Sequence, residues 1–374
     1  MDAGSFALPT RVARPLRLLP FRGLSLAPGR IGAPSSVRAF TRPYRDVTDR
    51  LERWERKGQL SHDDRPAIYL HEYTTGGVVV RGLVGALDLS RQTSRPEDVA
   101  VFPHEGIHPA QVDVLASRMT QMQVHPAPIL LVHRGSPSVR ALMDEIQRRP
   151  QVRDFTDRGQ QVHRVWAISD PDEVGLLDRA FTSTRALIAD GHHRYAAYLR
   201  MQHDDPRPAT AAGLAMLVDQ DDTPLHLGPI HRSLAGIDLD VLERAAATIG
   251  VQVTEATKRS ALAGLGPDVL AVTDGRRWRR VQLGPAVDLT AVETLHDLLL
   301  PALQPQPAQI GYHHTVDDAL NDADRRRGVA VLMPAPDFGQ VLATAAANRL
   351  LPEKATSFQP KPNVGVLIRS LHDG

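Results

Sequence analysis

Apolar residues recur along this chain at two spacings, and the switch between them predicts most of its elements. Between Asp46 and Lys57, Val47, Leu51 and Trp54 fall on one helical stripe that Gly58 would cap, so a short amphipathic helix with a core-facing Trp54 is expected. Two β-rich runs, Ala67 to Tyr73 and Val78 to Leu87, flank Gly76-Gly77 and predict a hairpin. Gln111 to Met122 reads as a helix with Val112, Leu115 and Met119 inward, and Pro128 to His133 as a buried strand. Val139 to Gln147 is a further helix, and Val162 to Ile168 alternates as a strand in which His163 is structural. Apolar strand-like runs follow at Gly213 to Asp219 and Leu225 to Arg232, then a helix from Leu239 to Ile249 and a hairpin turn at Asp274 to Trp278. The last part holds a helix near Leu295–Leu299, a strand at Val329–Leu332 and a helix at Phe338–Ala346.

The stretch around which these elements are organised is Ala186 to Leu199. Ala186-Leu187-Ile188-Ala189 fits a short buried strand and Asp190-Gly191 is a break, after which Tyr195, Tyr198 and Leu199 recur at helical spacing. Gly191 permits a sharp turn, and the amides that open the next helix form a cradle for an anion. His192, His193 and Arg194 occupy that first turn, where the helix dipole disfavours cations unless something negative faces them. A phosphate would supply that charge. The plain alternative is Asp190 as an N-cap with a solvated basic turn behind it.

A second polar concentration is Pro103-His104-Glu105-Gly106-Ile107-His108-Pro109. It matches His-Glu-x-x-His, the zincin pattern, but the flanking prolines and Gly106 place it in a loop instead of on the helix that pattern needs. Within a loop Glu105 remains a candidate base and His104 a candidate phosphate or substrate contact. His231-Arg232 is a third basic pair and a candidate phosphate contact. Lys354 and Lys361, two of very few lysines, stand in the tail Leu351 to Lys361 and are candidate phosphate contacts.

Composition narrows the picture. At 374 residues the chain exceeds one ordinary core. Residues 1–45 read as a Pro/Arg-rich lead-in, 46–235 as a central α/β domain with both motifs, and 236–374 as a supporting α/β region. A net charge of +1 gives no general attraction to nucleic acid or membrane, and the absence of cysteine removes disulfides, thiolate nucleophiles and thiolate metal sites. Arg11, Arg14, Arg17 and Arg22 faintly suggest a transit peptide, against which stand Asp2 and several prolines. A cytoplasmic location is expected, with no membrane span, no nucleic-acid partner and the oligomeric state left open.

Pro20-Phe21-Arg22-Gly23, Pro103-His104-Glu105, Ile188 to Tyr195, Ile230-His231-Arg232 and Pro352 to Lys361, taken in order, resemble the family catalogued as domain of unknown function 1015 over nearly the whole chain. The Asp190 to Arg194 core also resembles the phosphate-binding signature of the ParB and sulfiredoxin superfamily, which includes a free serine kinase. These resemblances imply an α/β (α+β) fold with a ParB/sulfiredoxin-like mixed-sheet lobe and added supporting lobes. They imply ATP or ADP with magnesium as cofactors, nucleotide phosphates held at Gly191 to Arg194, and His192, His193 and Arg194 stabilising charge in transfer. Asp190 would hold magnesium or orient the incoming hydroxyl, with Glu105 as base. The family usually follows Pro-His-Glu with Arg or Lys and then Thr, where this chain has Gly106-Ile107, implying altered specificity or reduced activity.

The first expectation is therefore a nucleotide-dependent phosphotransferase acting on a small molecule such as serine. One alternative is a non-catalytic nucleotide-sensing module. The other is a metal-dependent hydrolase uniting His104, Glu105 and His108 with Asp190, His192 and His193, residue types that can ligate zinc, although zinc is not a cofactor that the first expectation calls for.

Overall fold

The computed structural model describes residues 10–41, 47–283 and 289–373. The chain divides into two compact units, one of residues 1–225 with 360–374, the other of residues 226–359.

The first unit is built on a nine-stranded mixed sheet. Its path runs Arg153–Thr156, Val162–Ile168, Ile68–Thr75, Val78–Asp88, Ala212–Asp219, Ile129–His133, Ala186–Asp190 and Val101–Phe102, and Leu18–Leu19 also pairs with Val78–Asp88. The first four neighbouring pairs are antiparallel, Ile129–His133 runs parallel to Ala212–Asp219, and Ala186–Asp190 runs antiparallel to Ile129–His133. The predicted hairpin forms with Thr75 opposite Val78, and Gly76 and Gly77 take φ of 55° and 80°, the paired positive values a tight two-residue turn requires. Ile129 to Val132 and Ala186 to Ile188 are almost wholly buried, which explains why both read as unbroken apolar runs.

Helices Pro109–Met122 and His192–Asp204 pack on each other beside this sheet. Val112, Ala116, Met119 and Met122 face inward, so both methionines are core residues. Trp54 is buried in helix Val47–Arg56, as the stripe predicted. Residues 11–26, read as an extended lead-in, supply three short strands, all paired. Gly23 explains part of the Pro-Phe-Arg-Gly motif. Its N–H donates to the Tyr69 hydroxyl at 2.9 Å, and a Cβ there would stand 2.7 Å from Asp63 Oδ2.

The second unit carries a six-stranded antiparallel sheet ordered Gln252–Ala256, Trp278–Gln282, Val269–Thr273, Val329–Leu332, His231–Leu234 and Ile310–His313. Its core includes Ala261, Ala271, Trp278, Ala319, Ala323, Ala330 and Leu332. The expected hairpin at Asp274 to Trp278 is present. Helix Val316–Arg325 was not anticipated although it is strongly amphipathic; its buried face is short, Ala319, Asp322 and Ala323, and aspartates and arginines fill much of the rest. Among the described residues no helix is long and apolar enough to cross a membrane.

Candidate functional site

Strand Ala186–Asp190 ends on a buried stretch, Gly191 turns the chain, and helix His192–Asp204 begins at once. Gly191 is the N-cap with φ of 95° and ψ of 31°, a left-handed conformation that costs a residue with a Cβ about 1–2 kcal/mol. The position is also crowded, since a Cβ would lie 3.0 Å from Nε and Nη2 of Arg194. A glycine cap has no side chain to offer the amides of the first turn, and these have no acceptor within the helix. The first helical bond is Tyr195 N–H to the Gly191 carbonyl at 2.8 Å.

The basic first turn is reconciled with the helix dipole from within the protein. Arg194 reaches back over Gly191 and donates from Nη2 to Asp190 Oδ2 at 2.5 Å, while Nη1 donates to the Pro128 carbonyl at 2.8 Å. Lys361 Nζ donates to the other oxygen, Asp190 Oδ1. Burial alone would raise the Asp190 carboxyl, but the charges of Arg194 and Lys361 bring it below its ordinary value.

The two imidazoles do a different job. His192 Nε2 accepts the backbone N–H of His104 at 3.3 Å, and His193 Nε2 accepts the backbone N–H of His108 at 3.0 Å. A nitrogen that accepts must keep its lone pair, so both rings are neutral in this arrangement, with the proton on Nδ1. The sequence had suggested three cations needing an external anion. The structure has two neutral rings and a guanidinium whose counter-ion is Asp190.

These contacts dock the loop from Pro103 to His108 onto the helix start. His104 is fully buried, its ring edge-on to His192 at 4.7 Å between centroids, and the rings of His108 and His193 stack at 5.8 Å with 11° between planes. Burial, with His192 adding to it, pushes His104 well below the usual imidazole range. The 4.0 Å separation of His104 Nε2 and Glu105 Oε1 is therefore that of a carboxylate beside a neutral ring. The Glu105 side chain is 20% exposed. The loop is non-helical from Pro103 to His108, so His104 and His108 do not share a helix face as a zincin needs.

The first unit thus brings together His104, Glu105, Asp190, Gly191, His192, His193, Arg194 and Lys361. His231, Arg232 and Lys354 form a separate group in the second unit. Arg232 is buried, donates from Nε to His296 Nε2 at 3.2 Å and from Nη2 to the Lys354 carbonyl at 3.1 Å, and lies over the Tyr312 ring. His231 Nδ1 accepts Met333 N–H at 3.1 Å, and burial beside Arg232 pushes the ring down to about 4. Among the described residues no three His, Cys, Asp or Glu side chains are placed to hold a metal ion. Sequence reasoning found both motifs but missed the loop-to-ring bonds, whose partners are 85 and 88 positions apart.

Fold and site together define a mixed α/β protein in which a His-Glu loop is bonded onto a strand–turn–helix. The chain belongs to the family described as protein of unknown function, DUF1015, whose model matches residues 20–297. No curated protein matches it. Several solved structures are similar. A free serine kinase in complex with AMP has a TM-score of 0.40 at 16% identity, covering 73% of this chain and 89% of that one. A conserved hypothetical protein from Pyrococcus furiosus has a TM-score of 0.40 at 15% identity, covering 73% and 93%. SbnI from Staphylococcus aureus, truncated at its C-terminus, has a TM-score of 0.45 at 10% identity, covering 77% and 88%. Likenesses this weak transfer no activity to the present chain.

Proposed function

We propose that this protein binds the phosphates of a nucleotide, ATP or ADP, at the Asp190 to Arg194 turn and transfers a phosphoryl group to a small hydroxyl compound such as serine. The observation that carries this reading is the bonding of the Glu105 loop to the first helical turn through His192 and His193. It supports reading the candidate base and the anion cradle as one site.

Phosphoryl transfer demands positioning and charge stabilisation more than covalent chemistry from the protein. The first-turn amides and the cations of Arg194 and Lys361 would face the phosphates, and Glu105 would accept the acceptor's hydroxyl proton. His192 and His193 hold the loop in place, a different role from direct charge stabilisation. Asp190 serves as the counter-ion that stores both cations until a polyanion competes for them. With each of its oxygens already facing a cation, Asp190 does not fit a magnesium site. A hydrolase built on a histidine-bound metal fits less well too, because His192 and His193 spend Nε2 on backbone amides.

The test measures thermal stabilisation by ATP, ADP and CTP, then product formation with serine and related alcohols. Glu105→Gln should keep nucleotide binding and lose transfer, and Lys361→Ala should weaken binding. Removing one charge contact should cost on the order of 10²-fold in rate. Turnover unchanged in Glu105→Gln, or no nucleotide binding by the wild type, refutes the proposal. Nucleotide binding without product across all acceptors would point to a sensing module instead.

A further inference from the structure

Lys361 belongs to the segment through which the chain re-enters the first unit, and its backbone is held with unusual completeness. The Gln161 side chain uses both ends of its amide on this segment, Nε2 donating to the Lys361 carbonyl at 3.1 Å and Oε1 accepting the Asn363 N–H at 2.9 Å. Immediately before it, the Tyr73 hydroxyl donates to the Pro360 carbonyl at 2.7 Å. The Asn363 side chain donates to Asp157 Oδ2 at 2.6 Å.

Behind these contacts lies a buried chain of titratable groups that the proposed reaction does not use. Asp157 Oδ2 also meets His163 Nε2 at 3.0 Å, and His163 Nδ1 meets His71 Nε2 at 3.0 Å. Asp157 Oδ1 accepts the Gln161 N–H at 2.9 Å, which fixes the turn that presents the Gln161 side chain. With Asp157 ionised and both rings neutral, one proton order fits: His71 donates to His163, which donates to the carboxylate. Burial would raise the Asp157 carboxyl, but the bonds from Asn363, His163 and the Gln161 amide keep it below its ordinary value. Gly159 leaves no slack, since a Cβ there would stand 3.0 Å from Asn363 Nδ2.

We infer that Gln161, Tyr73 and the His71–His163–Asp157–Asn363 chain form a clamp that positions Lys361 on Asp190, so that the ammonium is pre-placed for an incoming anion. The lysine is long, flexible and half exposed, and an exposed ion pair by itself orders such a side chain weakly. Fixing the backbone at Pro360, Lys361 and Asn363 removes that part of the ordering cost before any ligand arrives. Gln161 and Tyr73 are thus positioning residues acting through Lys361. The purpose of the clamp rests on the phosphate-site reading, whereas its geometry does not.

The experiment uses the full chain in two measurements. In the first, the ligand-free protein is treated with an amine-acylating reagent, and the rate at Lys361 is read by mass spectrometry against exposed Lys57; the chain has four lysines, so each is resolved. Gln161→Ala should raise the Lys361 rate severalfold, and Tyr73→Phe, which keeps the ring and its packing, should raise it in the same direction. A rate equal to wild type in both variants overturns the clamp. In the second, ADP affinity is measured for wild type, Gln161→Ala, Lys361→Ala and the double variant. Gln161→Ala should weaken ADP binding, and the double variant should bind no more weakly than Lys361→Ala alone. Fully additive losses would show that Gln161 acts elsewhere and overturn its role. If wild-type protein binds no ADP, the functional reading falls, and the acylation rates alone decide whether the clamp holds Lys361.

Discussion

The substitution Gly191→Ala tests the turn at the centre of the structure. Alanine at φ of 95° meets the left-handed penalty of about 1–2 kcal/mol. Its methyl would also stand 3.0 Å from two nitrogens of Arg194 and 3.1 Å from Ile129 Cγ2, so the guanidinium must move. Moving it loosens the bonds to Asp190 Oδ2 and the Pro128 carbonyl. Because the pair is partly exposed, that loss is discounted to about 1 kcal/mol. The sum is about 2–3 kcal/mol. At about 2–4 °C per kcal/mol for a unit of this size, the unfolding midpoint of the first unit should fall by roughly 4–12 °C. Differential scanning calorimetry of the full chain reads this directly. The double variant Gly191→Ala, Arg194→Ala removes the clash with Arg194 but keeps the backbone strain and the Ile129 contact, so it should be less destabilised than the two single losses added together. A Gly191→Ala protein whose midpoint stays within about 1 °C of wild type would refute both the strain and the crowding argument.

Three further outcomes follow from the same geometry. Burial holds His71, His104 and His125 well below the usual imidazole range and His133 down to about 4. As pH falls below about 6.5 the unfolded chain therefore binds protons first, and the stability these rings confer, complete above that pH, is lost on acidification. Urea midpoints should decline from pH 7 to pH 5, and a flat profile would refute neutral burial of these rings. Tyr195→Phe deprives the Val12 N–H of its buried acceptor at 2.9 Å and should cost about 1–3 kcal/mol in urea unfolding; no measurable change would mean that this bond is not made. Gly213→Ala places a methyl 2.4 Å from the Tyr198 ring and should cost about 1–3 kcal/mol by the same measurement, whereas unchanged stability would show that the ring has room to shift.

The tertiary structure changed the meaning of the central motif more than its location. Sequence pattern located strand, turn and helix at Ala186 to Leu199, because a local apolar run, a glycine and a helical repeat are all local properties. The same pattern invited a count of charges in the first turn that the structure does not support. Whether an imidazole is a cation depends on what its nitrogens face, and here they face amides on a loop far away in sequence. One of the two partners of Asp190, Lys361, is likewise 171 positions away.

By itself the sequence determined the hairpin with its Gly-Gly turn, the buried strands, the Trp54 helix, and the loop nature of the His-Glu segment, where two prolines exclude a helix. It also determined that this chain supplies no thiol, since it has no cysteine. Only the tertiary structure decided which motifs share a unit, which ring nitrogens accept, and that Lys361 rests on Asp190 while Lys354 keeps company with Arg232. The division has a physical cause. Periodicity and turn preference act over a few residues, but ionisation and pairing are set by whatever the fold packs against a side chain, and no short stretch of sequence carries that information.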